Sequence, residues 1–367
     1  MRKSLLFFLP LALGFILFSC RENREITEKP ERISVFIDYA AEGGAFELPV
    51  RGASGYAGIV LPVYANPVIN ANIVALLNPG QGFTILEEED TWWNIDIQGT
   101  KGWVMHKYCF INLPDIIPSI VYNNTNTYSS MFRSSGEIIP NITGRALYSA
   151  RDFNPRLGRE EFIAPVLYSM ADKIFTAQQL ALAEGNTLII FEAFRPAEAH
   201  NLLHEYFSIM VEENPRIRAG ITADNFNIRW FLAEAPYNHQ RGTAIDASLG
   251  RITGWEFRTS GSYMYIHVNG YLEYPMQTPM HELSVDSAIM SSRVNSRSTT
   301  SWLEFEILER ATPGTILLFR YCTEAGLIPL SSEWWHYNDL ISTDIAIEAD
   351  INGEFHIRRS YGRPPVL

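Results

Sequence analysis

Three short clusters in the C-terminal half of the chain carry residue types that can do chemistry together. They are Phe194-Arg195-Pro196, the run from His239 through Arg241 and Gly242 to Asp246, and Glu333-Trp334-Trp335-His336. Two histidines and a carboxylate suit Zn²⁺, which takes N and O donors and keeps a fourth position for water in catalytic centres. On that reading His239, Asp246 and His336 are the ligands of one zinc ion. Glu333 is then free to take a proton from the water and pass it to a leaving amine. Arg195 can oppose the negative charge that develops on a carbonyl oxygen under attack. Singly, each residue has a plainer use. A lone histidine is more often structural, a buried aspartate more often bonds a helix cap, an arginine before proline can cap a turn, and paired tryptophans fit a core. Their joint occurrence, in this order, is what carries the argument.

The elements that must hold these clusters have a mixed pattern. From Arg159 to Glu184, Phe162, Val166, Met170, Ile174, Ala177 and Leu180 fall at helical spacing, and Gly185 follows as a stop. Thr187–Phe194 reads as a buried strand, and Pro196 opens a second helix through about Glu213. Thr312-Pro313 reads as an N-cap with proline in the first turn of a helix that ends near Gly326. Helices mixed with a few strands, without regular alternation, indicate an α+β domain.

The second and third clusters resemble the signatures of the zinc D,D-peptidases, the family that includes the D-alanyl-D-alanine dipeptidases of vancomycin resistance. Phe194-Arg195-Pro196 resembles their Tyr-Arg-Pro, His239–Asp246 their His-x-Arg-Gly-x-Ala-x-Asp run, and Glu333–Tyr337 their Glu-x-x-Trp-His region. The likeness covers roughly residues 120–345. It implies an α+β domain with a small antiparallel sheet, one zinc on His239, Asp246 and His336, Glu333 as catalytic base, and Arg195 stabilising the transition state. It also implies substrate contacts from Tyr237, Glu282 and Trp335. The chain departs from the family where Tyr237 replaces a serine two residues before the first zinc histidine. In the dipeptidases an aspartate that receives the substrate amine follows the zinc aspartate. Here His281 holds that place and Glu282 comes one residue later. Extra length, Ile252–Tyr274, resembles an aromatic hairpin with Trp255, Phe257, Tyr263 and Tyr265.

Ahead of this domain the text changes to short β-like runs, Ile59–Tyr64, Ile73–Leu77, Phe83–Leu86, Trp93–Ile97 and Trp103–Met105, separated by turns such as Asn78-Pro79-Gly80. Five strands in so short a stretch favour a small barrel. Asn78–Gly82, Trp92–Ile95 and Gly102–Val104 resemble the bacterial SH3-type domain, which implies a module that can hold an enzyme on peptidoglycan. Trp93 and Trp103 are expected in its core rather than on a ligand platform. Leu113–Ile120, with prolines at 114 and 118, reads as a linker.

Residues 1–20 begin with Arg2-Lys3, continue in an apolar run too short to span a bilayer comfortably, and end Leu17-Phe18-Ser19-Cys20. This resembles an export signal with a lipobox, in which Cys20 is lipidated and anchors the protein to the membrane at the cell envelope. The division expected is a signal at 1–20, a tether and unassigned segment at 21–55, the SH3-like domain at 56–113 and the catalytic domain at 114–367. Cys109 and Cys322 then remain as two separate buried thiols, and no CxxC pair supports a cysteine-based zinc site. The net charge of -12 argues against nucleic acid or an anionic membrane surface as a partner, since like charges repel. The function expected is zinc-dependent hydrolysis of D-Ala-D-Ala or a related dipeptide. The alternatives are a D,D-carboxypeptidase or endopeptidase on peptidoglycan stem peptides and, in another class, a non-catalytic wall-binding lipoprotein.

Overall fold

The computed structural model describes residues 36–295 and 297–365. The segment read as an export signal, the lipidation expected at Cys20 and the expected tether through residue 35 lie outside the described residues. Among the described residues no helix is long and apolar enough to cross a membrane.

The N-terminal part is an all-β, SH3-like barrel. Its sheet runs in the order Pro165–Leu167, Cys109–Asn112, Ser54–Ala57, Gly82–Glu89, Trp92–Ile97, Thr100–Met105, Leu61–Tyr64 and Ile73–Leu77. All of its pairings are antiparallel. The first strand in that order comes from the following domain, so the barrel sheet is completed by a segment distant in sequence. Trp93 is fully buried, and its ring lies 4.6 Å from that of Tyr168, also beyond the barrel. Trp93 therefore serves packing between the two parts; Trp103 is half-buried.

Residues 113–120 correct the linker reading, because every one of them is buried. Pro114 stands at the start of the helical turn Leu113–Ile116, where the missing N–H costs nothing. Asp115 in that turn accepts from Ser54 N at 2.7 Å and from Asn154 Nδ2 at 2.5 Å. The unassigned stretch before the barrel also belongs to the body of the fold: Phe46, Leu48, Val50 and Ala53 are buried, and Glu47 N and Leu48 N both donate to Ile116 O.

The remainder is α+β. A six-stranded sheet runs Ile328–Leu330, Glu333–Asn338, Ala244–Ser260, Asn186–Glu192, Val121–Tyr122, and Tyr263–Glu273 pairs with the long central strand as a hairpin. All pairings are antiparallel except that of Val121–Tyr122, which runs parallel to Asn186–Glu192. The helix expected from Arg159 begins only at Ala171 and ends at Ala183. Before it come the strands Arg159–Phe162 and Pro165–Leu167. Pro165 explains the difference: it has no N–H to donate and pushes Ala164 toward extended backbone. The helices Ala197–Glu213 and Pro313–Glu324 follow the sequence reading, with Thr312 Oγ1 accepting from Thr315 N as the cap. Cys109 and Cys322 are both buried and free.

Candidate metal centre

Register places the chemistry. On the central strand Asp246 pairs directly with His336 on one side and with Glu192 on the other. Directly opposed residues share a face of the sheet, so Glu192, Asp246 and His336 stand in a row across three strands. His239 reaches the same face from the short helix Asn238–Arg241, which ends in a left-handed residue, Gly242. A Cβ at Gly242 would lie 2.1 Å from the ring of Phe110 in the barrel strand Cys109–Asn112, so only glycine fits. Leu167 N also donates to Gly242 O at 2.8 Å. The barrel thus buttresses the turn that carries His239.

His239 Nε2, Asp246 Oδ1 and His336 Nδ1 form a triangle with sides of 3.2, 3.0 and 3.1 Å. His239 Nδ1 lies 2.7 Å from Ala193 O, a carbonyl that can only accept, so that nitrogen carries the proton and Nε2 faces inward with a lone pair. His336 Nε2 lies 2.9 Å from Asn338 Oδ1, which orients its Nδ1 inward in the same way. Three acceptors therefore converge at the centre of a buried site, and a cation among them satisfies all three. A tetrahedral ion with bonds of about 2.0–2.1 Å spaces its ligand atoms about 3.3 Å apart, close to this triangle. The donor set fits a metal ion, and these buried groups could hold one.

A second buried group, Glu192, Asp246 and His281, lies beside the first. Its positive charge is already supplied by the protein. Arg195 donates through Nε, at 2.9 Å, and Nη2 to Glu192 Oε2, and its Nη2 lies 3.6 Å from Asp246 Oδ2. Nη1 reaches His200 Nδ1 at 3.2 Å, and the guanidinium lies 5.0 Å from the centre of the Phe132 ring. His200 Nε2 bonds Ala233 O at 2.6 Å, leaving Nδ1 to accept. Burial, with Arg195 next, pushes His200 down to about 3, so it is neutral. Glu192 Oε1 accepts from Asn126 at 2.6 Å and Tyr148 at 2.7 Å. Glu192, His200 and Phe132 escaped the sequence reading. One signal existed, a lone carboxylate inside the apolar run Thr187–Phe194, three residues before Arg195.

Electrostatics separates the two carboxylates of the cleft. Burial raises Asp246, but His239 and the contacts from His239, His281 and His336 outweigh it and hold Asp246 well below the usual range. Glu333 goes the other way: burial first and the charge of Asp246 second hold it well above the usual carboxylate range, against the opposing effect of Arg195. Its Oε2 lies 3.8 Å from His336 Nδ1. Two environments thus give two nearby carboxylates opposite protonation preferences, the pattern of an acid–base site.

An open cleft is lined by Arg195, His239, Asp246, Glu333 and His336, with Tyr237 and Trp335 on its walls. Of the residues expected to act as metal ligands, catalytic groups or substrate contacts, Glu282 is the one that does not line it. Its Oε2 accepts from Gly136 N at 3.1 Å and the side chain is buried away from the cleft. His281, at the place of the family's amine-receiving aspartate, also turns inward. It is fully buried, stacks on Phe132 at 4.2 Å, and brings Nε2 to 3.2 Å from Asp246 Oδ2.

A family model described as bacterial SH3 domain matches residues 59–109. No curated protein matches the chain.

Proposed function

We propose that this chain is a zinc-dependent peptidase of bacterial cell-wall peptides that cleaves a D-alanyl-D-alanine type of bond. The observation that carries this reading is the buried triangle of His239 Nε2, Asp246 Oδ1 and His336 Nδ1, with Glu333 and Arg195 on the same cleft. When bound by those three residues, zinc supplies a Lewis acid that acidifies water and polarises a carbonyl. Glu333 is the cleft carboxylate outside the ligand triangle. Its Oε2 lies 3.8 Å from His336 Nδ1, beside the ligand triangle, where it can take a proton from water and return it to the leaving amine. Arg195, oriented by Glu192 and His200, holds a fixed positive charge where an oxyanion develops. Phe132, Trp335 and Tyr237 wall the cleft and limit water.

Between the two substrate classes, one observation favours the longer. Glu282, the carboxylate available to a dipeptide amine, is engaged by Gly136 and does not line the cleft. A stem peptide, in which that amine is part of a peptide bond, needs no such group. A bacterial SH3 domain is compatible with peptidoglycan binding, and a lipid on Cys20 would keep the enzyme at the envelope, where such peptides occur. The test is to incubate zinc-loaded protein with D-Ala-D-Ala and with a stem pentapeptide, then identify products by mass spectrometry. Release of terminal D-Ala from the pentapeptide is expected; failure to cleave either peptide would overturn the reading.

A further inference from the structure

We infer that the cleft recognises its peptide through a carboxylate received by Arg229, and that the peptide's amine is acylated. The inference rests on the peptidase reading above and narrows its substrate. It starts from the charges that line the cleft. The carboxylates are Asp246 and Glu333. Asp246 belongs to the ligand triangle and Glu333 is the proton carrier, so no lining carboxylate remains for a free ammonium group.

The cations divide differently. Arg195 is buried and committed to Glu192 and His200. Arg229 also lines the cleft, yet it is exposed, and its guanidinium makes no hydrogen bond or ion pair among the described residues. A planar guanidinium with its donors free matches a carboxylate in a two-point contact.

Arg229 also occupies a distinctive place. Together with Trp230, Ala233, Tyr237 and Leu330 it lines both the metal cleft and a second groove of about 960 Å³ of empty space. The two spaces therefore share one wall, and a chain leaving the cleft has room to continue. The second groove alone is also lined by Glu234, which is exposed and would repel a carboxylate. That opposition confines the anionic contact to the shared wall, beside the cleft. A dipeptide has no use for the second groove; an acylated peptide does.

The test reads binding without turnover. Glu333→Gln protein loaded with zinc is titrated calorimetrically with an N-acetylated stem pentapeptide, its C-terminal amide, and free D-Ala-D-Ala. Adding Arg229→Gln is expected to weaken pentapeptide binding about tenfold, the size of one charge-assisted contact, with partial recovery in Arg229→Lys. If the Arg229 effect vanishes with the amide, the terminal carboxylate is the partner; if it persists, an internal carboxylate is. Unchanged pentapeptide affinity in Arg229→Gln, or tighter binding of free D-Ala-D-Ala than of the acetylated peptide, would overturn the inference. Those results leave hydrolysis by the unmodified protein untouched, whereas absence of hydrolysis sinks the peptidase reading and not the carboxylate contact.

Discussion

The barrel and the cleft bury opposite kinds of residue. In the barrel Leu77, Phe83, Ile85, Trp93, Ile95 and Val104 are fully buried, while the acidic run Glu87–Asp90 stays exposed. In the cleft the buried groups are ionisable: Glu192, Arg195, His239, Asp246, Glu333 and His336 are none of them more than 6% exposed. Apolar burial stabilises by itself, at about 25 cal/mol per Å² removed from water. Buried charge costs free energy unless it is paired, and often unpaired acceptors are held that way for function. The difference teaches that the barrel is built for packing, whereas the cleft gathers buried ionisable groups that could hold a metal ion. The two are nonetheless joined, through Pro165–Leu167 in the barrel sheet and Phe110 against Gly242.

Four substitutions can break or sharpen this contrast. Glu333→Gln should have the largest effect, lowering turnover by about 10²–10⁴-fold while leaving the protein folded and zinc bound. Steady-state kinetics beside metal analysis checks it, and near-normal turnover would remove Glu333 from the mechanism. Arg195→Ala strips the counter-charge from Glu192, so it should lower turnover about 10²–10³-fold and also cost about 3–5 kcal/mol of stability. Denaturant unfolding read alongside kinetics separates the two effects; a fully stable variant would contradict the pairing. Trp93→Ala should cost about 3–5 kcal/mol as a cavity in a packed core, yet leave zinc affinity unchanged. A loss of zinc there would mean that the barrel shapes the ligand set itself.

The smallest effect concerns the seam. Glu47 is buried, and that burial pushes its carboxyl up to about 7 despite donors from Ser119 and Gln179. A group raised in the folded state contributes stability that is intact below its unfolded value of 4.5 and lost as pH rises through about 7, because the unfolded chain gives up its proton first. The stability of the wild type relative to Glu47→Gln should therefore fall between those values. A difference that stays constant across that window in urea melts would count against the assignment.

Much of this contrast could be read in the sequence, and the reasons are local. The barrel strands are short apolar runs between Pro-Gly and Gln-Gly turns, and Ile73–Leu77 was delimited to the residue. The three chemical clusters could be named because each sits in a few consecutive residues. What escaped depends on contacts across the fold. Leu113–Ile120 resembles a linker by composition, but its prolines start and follow a buried turn. Glu192 and His200 act through Arg195; a lone carboxylate in an apolar strand hints at Glu192, but nothing in the neighbours of His200 announces it. The resemblance implies Glu282 at the substrate; the left-handed backbone of His281, with φ of 60°, turns that stretch so that His281 faces Asp246 and Glu282 faces Gly136.

Zinc titration monitored by calorimetry reaches the central claim most directly. The unmodified protein should take up one ion per chain, and His239→Ala and His336→Ala should each abolish tight binding. Retention of one tightly held ion in the double variant would contradict the metal centre and, with it, the peptidase.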